Sequence, residues 1–346
     1  MKRLLPLLGL LFCVSGCAGQ APEPVTVEFY AMNTYMSVTA YGDRAEEAAR
    51  AVQSEVSRLS NLWSRTVDSS EVSRLNASAG TGESVDLSEE TAELLQAALA
   101  VEGWSGGAFD PAMGAVMDAW GFTGEEHRVP GEGDLSAALA TIGGGPILTG
   151  TVAEVPTKGQ VLDLGGIAKG AAAARALLAT QPYSDGLEGL FLNLGRNLTT
   201  WSPTGQKPDG TDWRVGVADP KNTGDVLCAF TMNNRTCATS GGYERYFEEN
   251  GVTYHHIIDP ATGLPARSGL ASVTVVGPAY WVDAWSTALY VMGAEEALDL
   301  WKTGEGHLES TDLILVTEEG HVYVTEGLEA GFELLGEGYT YEIVSR

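Results

Sequence analysis

The sequence predicts an α+β fold, mixed and largely antiparallel sheets with flanking helices, on three observations. Strand-like and helix-like periodicities follow one another in mixed order rather than as regular βαβ units. Hydrophobic residues make up 44% of the 346 residues, enough for a sizeable core. Glycine, at 43 residues, is abundant enough to expect many tight turns.

Val25 to Tyr41 alternates like two strands, interrupted near Met32-Asn33-Thr34. Ala45 to Trp63 repeats apolar residues at Ala48, Val52, Val56, Leu59 and Trp63, the spacing of an amphipathic helix. Ser88 opens another helix, with Glu89 and Glu90 against its positive end. Asp110-Pro111 reads as an N-cap and first helical position, followed by Met113, Val116, Met117 and Trp120. Ile147 to Val155 reads as a hairpin around Gly150. Val161 to Leu164 is a short strand that meets Gly165-Gly166, and an alanine-rich helix follows from Ile167 to Leu178. Further strands are expected at Leu190 to Leu194, Trp213 to Val217, Val226 to Met232, Thr253 to Ile258, Ala271 to Val276, Leu313 to Val316 and His321 to Thr325. Helices at Val282 to Met292 and Ala294 to Trp301 interrupt them, and Gly124 to Gly133 is expected to be a surface loop.

The first residues read as a targeting segment. Lys2 and Arg3 precede an apolar run, Leu4 to Val14, that is shorter than the roughly 20 residues a bilayer span needs. Val14-Ser15-Gly16-Cys17 resembles a bacterial lipobox, which implies cleavage before Cys17 and lipidation of its thiol. An ordinary signal peptide with an incidental cysteine is the alternative. The expected organisation is a signal peptide over 1–16, a lipidated cysteine and tether over 17–24, and one domain over 25–346. The formal charge of −26 excludes non-specific binding of nucleic acid, which depends on basic residues. Cys228 and Cys237 flank Asn233-Asn234, a plausible hairpin turn, and a disulfide between them is left open.

Four local patterns carry possible chemistry. Gly165-Gly166-Ile167-Ala168-Lys169-Gly170 joins a strand to a helix start, where backbone N–H groups and Lys169 can hold phosphate; a plain turn with a surface lysine is the alternative. Asp283 and Thr287 stand four apart on a predicted helix and offer two oxygens of the kind Mg²⁺ prefers; a solvated helix face has the same pattern. His255 and His256 are adjacent on a strand, so they face opposite ways, and one can serve as a general base. Asp110 in Gly107-Ala108-Phe109-Asp110-Pro111 is either a simple N-cap or part of a flavin or adenine contact.

Taken in order, the motifs resemble the FAD:protein FMN transferase family (ApbE type). The matching stretches are Met32 to Met36, Ser70 to Asn76, Ala108 to Pro111, Asp163 to Gly170, Ala238 to Gly241, His256 to Gly263 and Asp283 to Ala288. The resemblance implies a two-lobed ApbE-like fold with FAD between the lobes. It implies a Mg²⁺-dependent enzyme that cleaves the FAD pyrophosphate, attaches FMN through a phosphoester to a Thr or Ser of an exported acceptor protein, and releases AMP. Asp283, Thr287 and the Gly166 carbonyl match the metal ligands. Met32, Ala108, Phe109, Asp110, Asp163, Lys169 and Ile257 match FAD contacts. His256 matches the base that takes the acceptor hydroxyl's proton, so His256 and Asp283 are the expected catalytic pair.

The chain departs from the family pattern in places. Asn33 stands where glycine is usual. Arg196 replaces the second glycine of an N-x-G-G-N turn, and because arginine takes positive φ only at a cost that loop is expected to differ. Trp63 aligns loosely with a nucleotide-stacking aromatic, or is plain core. An extracytoplasmic protein anchored by lipid to a bacterial membrane is the expected setting. Hydrolysis of FAD to FMN and AMP, or a non-catalytic flavin-binding lipoprotein, are the alternative functions.

Overall fold

The computed structural model describes residues 23–124 and 126–346. The expected signal segment and Cys17 therefore lie outside the described residues.

The chain begins with β1 (Val25–Ala31) and β2 (Thr34–Tyr41), then α1 (Ala45–Leu62), α2 (Glu71–Ala77), β3 (Ser84–Asp86), α3 (Glu89–Trp104), α4 (Gly114–Trp120) and α5 (Glu132–Leu139). It continues through β4 (Ile147–Thr149), β5 (Val152–Glu154), α6 (Ala168–Ala179), β6 (Gly189–Leu194), β7 (Asn197–Trp201), β8 (Arg214–Asp219), β9 (Asn222–Thr231) and β10 (Thr236–Gly241). The remainder is β11 (Tyr246–Glu249), β12 (Val252–His255), β13 (Leu270–Gly277), α7 (Ala279–Met292), α8 (Ala294–Thr303), β14 (Asp312–Thr317), β15 (His321–Thr325), β16 (Glu333–Leu334) and β17 (Thr340–Val344).

A nine-stranded sheet in the order β1-β2-β6-β7-β10-β13-β14-β15-β17 organises the molecule. Its neighbours are antiparallel except the last pair, β15 and β17. One face carries α1, α6 and α7 side by side. The other is covered by the small sheet β16-β9-β8. Strand residues divide between these layers by the two-residue period: Val273, Val275, Leu313 and Leu315 face the helices, whereas Val276, Ile314 and Val316 face the small sheet. Double coverage explains why β13 is buried without a break from Ser272 to Gly277, polar Thr274 included, where one-sided burial would produce alternation.

The periodicity of α1 is realised, with Ala48, Val52, Val56 and Leu59 fully buried and Trp63 in the same core rather than free to stack on a nucleotide. Ser88 caps α3 by accepting the Thr91 N–H. Several expectations fail. Val161 to Leu164 forms no strand, only a single bridge between Val161 and Met113, and β12 stops at His255 rather than Ile258. Asp110 is not an N-cap, because residues 111–114 are drawn into a short ladder with 161–163: Asp163 N–H donates to Pro111 O at 2.7 Å and Gly114 N–H to Val161 O at 2.9 Å. The α-helix accordingly starts only at Gly114. Asn233-Asn234 is not a hairpin turn either. β9 pairs with β8 and β16, and β10 with β7 and β13, so the chain crosses there from one sheet to the other. Cys228 and Cys237 are free thiols in the apolar layer between those sheets, and burial pushes both up to about 12.

Candidate active site

The β1–β2 hairpin closes through Met32 and Asn33 with φ of +47° and +57°, between the paired residues Ala31 and Thr34. A two-residue turn with both φ positive matches the twist of the strands it joins. Asparagine tolerates that conformation, which accounts for its replacing glycine at position 33. Methionine does not tolerate it well, and Met32 is held there in part by its N–H donating to Ser60 Oγ of α1 at 2.8 Å.

The Gly165-Gly166 turn is built by side chains from three segments. Asp163 accepts the Gly165 N–H at 2.9 Å through one oxygen and Arg65 Nε at 2.8 Å through the other. The nearly buried Arg65 guanidinium also grips Asp118 of α4 at 2.7 and 3.2 Å. Asn76, at the end of α2, exchanges two hydrogen bonds with the Leu162 backbone, at 2.7 and 3.0 Å. Asn76→Ala leaves both buried backbone groups without partners and is expected to cost about 2–3 kcal/mol, measurable by denaturant titration. A change below about 0.5 kcal/mol would show that the clamp is not structural.

Gly166 is required for a reason beyond its carbonyl. A Cβ there would lie 2.9 Å from Phe109 Cε2, so the buried Phe109 ring occupies the space a side chain would need. Ala108 is half-buried beside it. Asp110 is buried, accepts the Ala112 N–H at 2.6 Å, and has its pKa raised by burial. Neighbouring Glu102 is raised to about 7, first by burial and then by the Asp110 charge.

Asp283 lies on α7, buried, with its carboxylate against the start of α6. Oδ2 accepts Lys169 N–H at 3.1 Å, Gly170 N–H at 3.3 Å and Lys169 Nζ at 3.3 Å. A negative charge is favoured at a helix N-terminus, where backbone donors are free. Lys169 Nζ also donates to Gly165 O at 3.1 Å, which ties the turn to the carboxylate. One turn further along α7, half-buried Thr287 Oγ1 lies 3.5 Å from both Asp283 O and Ser240 Oγ, contacts at the long limit of a hydrogen bond. Ser286 takes the shorter bonds, at 2.8 Å, to Ser240 Oγ and Asp283 O. The Thr287 hydroxyl is therefore the least committed oxygen of this group. Among the described residues no cluster of three His, Cys, Asp or Glu could hold a metal. One carboxylate with neutral oxygens suits Mg²⁺, which keeps much of its shell for water and phosphate.

His255 ends β12, buried, with Nε2 3.1 Å from Ala266 O. His256 faces the other way and is half-buried, and its N–H donates to Arg245 O at 3.0 Å. Its Nδ1 lies 3.3 Å from the same carbonyl. A carbonyl only accepts, so Nδ1 carries the proton and Nε2 keeps a free lone pair. Burial first, and then the Arg245 charge, holds this imidazole well below its ordinary value, hence neutral at pH 7. Ile257 is core, with its carbonyl accepting the Ala266 N–H.

The structure thus joins Asp283, Lys169, the Gly165-Gly166 turn, Phe109 and Thr287 by direct contact. Arg245 links the β1–β2 turn to His256: its Nη2 donates to Asn33 O at 3.4 Å and its carbonyl lies 3.3 Å from His256 Nδ1. Lys169 adds the smallest of the contributions that lower the His256 pKa. Sequence reading missed Arg65 and Ser286: Ser286 stands inside a matching stretch and Arg65 in none, and the long-range partners of both were invisible.

An α+β protein with a buried carboxylate docked on a helix start and a neutral histidine is the class these elements define. The ApbE family model matches residues 32–311, and the chain belongs to that family. A Treponema pallidum (strain Nichols) protein named FAD:protein FMN transferase is 30% identical over 363 residues, covering 97% of either chain. A protein of the same name from Rhodobacter capsulatus is 30% identical over 331 residues; the match covers 92% of this chain but spans only 60% of that relative. The crystal structure of the ApbE protein from Thermotoga maritima superposes with a TM-score of 0.77 at 32% identity, covering 90% of this chain and 97% of that one.

Proposed function

We propose that this protein is a Mg²⁺-dependent FAD:protein FMN transferase, which moves FMN from FAD to a Thr or Ser hydroxyl of an exported acceptor protein and releases AMP. The observation that carries the reading is the Asp283 carboxylate, held between the start of α6 and the Gly165-Gly166 turn with the Thr287 hydroxyl one helical turn away. Asp283, Thr287 and the Gly166 carbonyl would hold Mg²⁺. When bound, that ion supplies Lewis-acid neutralisation of the diphosphate oxygens.

The chain's own residues do the rest. Lys169 brings a positive charge beside Asp283, and positioning with charge neutralisation dominates phosphoryl-type transfer. His256 Nε2, kept unprotonated, accepts the proton of the attacking hydroxyl. Met32, Phe109, Asp110, Asp163 and Ile257 line or brace the FAD side. The test is incubation with FAD, Mg²⁺ and a candidate acceptor, followed by intact-mass measurement. Gain of one FMN moiety is expected; no gain under conditions where FAD binds overturns the reading.

His256→Ala is expected to slow transfer by about a hundredfold or more while leaving FAD affinity within about threefold. A large loss of affinity would make it a binding residue instead. The pH profile follows from the direction of the shift. Because the folded-state pKa lies below the ordinary histidine value, the base stays neutral as pH falls through about 6.5. Transfer should show no acid limb between pH 8 and about 6. The same depression makes the unfolded chain bind the extra proton first, so this group destabilises the fold as pH falls below about 6.5.

Export and lipid anchoring through Cys17 rest on the sequence of the first residues. No helix of the described residues is long and apolar enough to cross a membrane. Cys17→Ser is expected to release the protein from the membrane fraction; unchanged retention would refute the anchor.

A further inference from the structure

We propose that Arg196 is an additional binding residue, whose guanidinium contacts the anionic diphosphate-bearing part of FAD at the mouth of the site. The inference rests on the site's being an FAD site and adds a residue to it.

Strain is the first observation. Gly195 and Arg196 close the β6–β7 hairpin, between the paired residues Leu194 and Asn197, with φ of +63° and +72°. The loop expected to differ because of Arg196 keeps its tight turn, and arginine adopts the left-handed conformation. That costs on the order of 1 kcal/mol, which glycine would avoid. Asn193 Oδ1 accepts the Arg196 N–H at 3.0 Å and helps hold the turn. A strained residue with a long charged side chain, where a bare turn needs glycine, calls for a use of the side chain.

Position is the second. A Cβ on Gly195 would collide with the Thr34 side chain, so this turn presses directly on the hairpin that carries Met32 and Asn33.

Charge is the third. The chain has 20 basic against 46 acidic residues, yet here Arg196 meets the Glu244 carboxylate and Lys169 and Arg245 also act on it through their charge. Burial raises the pKa of Glu244, while Arg196, Lys169 and Arg245 all act to lower it. Lys169 is the residue that grips Asp283, and Arg245 is the one beside His256. Arg196 Nη1 meets Glu244 Oε1 only at 3.4 Å, with the arginine side chain 53% exposed and its guanidinium 6.0 Å from the Tyr243 ring. It is oriented without being saturated. A phosphate offers the planar fork two oxygens at once, a better partner than this loose single contact.

The test uses equilibrium FAD titration of the full chain with Mg²⁺, at low and raised salt, together with thermal melting. Arg196→Gly removes the guanidinium and relieves the backbone. Tm should hold or rise, while Kd for FAD rises about fivefold at low salt, and the difference should shrink as salt screens the contact. Arg196→Met keeps the strain and loses the charge, so it should weaken binding equally with no gain in Tm; Arg196→Lys should recover part of the affinity. If the wild type binds FAD and Arg196→Gly binds it as tightly or more tightly, the residue is a tolerated defect and the proposal falls. If the wild type binds no FAD, the reading of the site fails first and takes this proposal with it.

Discussion

Asp283→Ala is expected to reduce flavin transfer by at least about a thousandfold and to lower stability by about 2–3 kcal/mol. Two effects are superimposed. The carboxylate is the one charged oxygen ligand the proposed Mg²⁺ site has, and without it the diphosphate loses its metal template. It is also a buried acceptor for Lys169 N–H, Gly170 N–H and Lys169 Nζ. Its removal leaves an ammonium beside unpartnered helix-start donors, a half-buried cation with no counter-ion. Asp283→Asn separates the two: it keeps volume and an accepting oxygen, so most stability should survive while transfer is still lost. Covalent FMN incorporation and thermal melting, each at several Mg²⁺ concentrations, read the two effects independently. Full activity in a folded Asp283→Asn variant would remove the carboxylate from the mechanism, and with it the observation on which the proposed function stands.

What the sequence made legible was short-range. Asp283 and Thr287 share a face because helical periodicity requires it. His255 and His256 reach different carbonyls, although the strand ends at His255 and His256 lies just beyond it. The helix start after Gly165-Gly166 falls within one residue of its expected place. The errors come from competition between distant partners. Asp110-Pro111 has the local signature of a helix start, but the Val161–Asp163 segment offers backbone partners that delay the helix to Gly114. Asn233-Asn234 looks like a hairpin turn, yet the strands on either side find better neighbours in different sheets. Arg65 sits in a loop with no motif of its own; it gains meaning only when Asp118 and Asp163 are brought to it from 53 and 98 residues away. The turn at Met32 and Asn33 was visible as an interruption, but not that a methionine would be held in a left-handed conformation to make it.

Gly170→Ala is expected to lower both stability and transfer, against helix propensity. In an exposed helix interior the change would stabilise by about 1 kcal/mol. Here a Cβ would lie 2.5 Å from Ala279 O and 3.1 Å from Asp283 Cβ, so α6 and α7 could not keep their present separation. A backbone carbonyl cannot swing aside like a flexible side chain. The helices must part or slide, at a cost of about 1–3 kcal/mol that overrides the propensity gain. The displacement falls at the residue facing Asp283, where the carboxylate takes the Lys169 and Gly170 N–H groups. A shift of even 1 Å there misplaces the proposed metal ligand relative to the diphosphate, and about a hundredfold loss of transfer is expected. Raised Mg²⁺ should recover part of it, since the ligands are displaced and not removed. The discriminating result is a Gly170→Ala protein with higher Tm and undiminished transfer. That outcome would mean that close approach of α6 and α7 does not set the carboxylate's position, and that the glycine answers to packing alone.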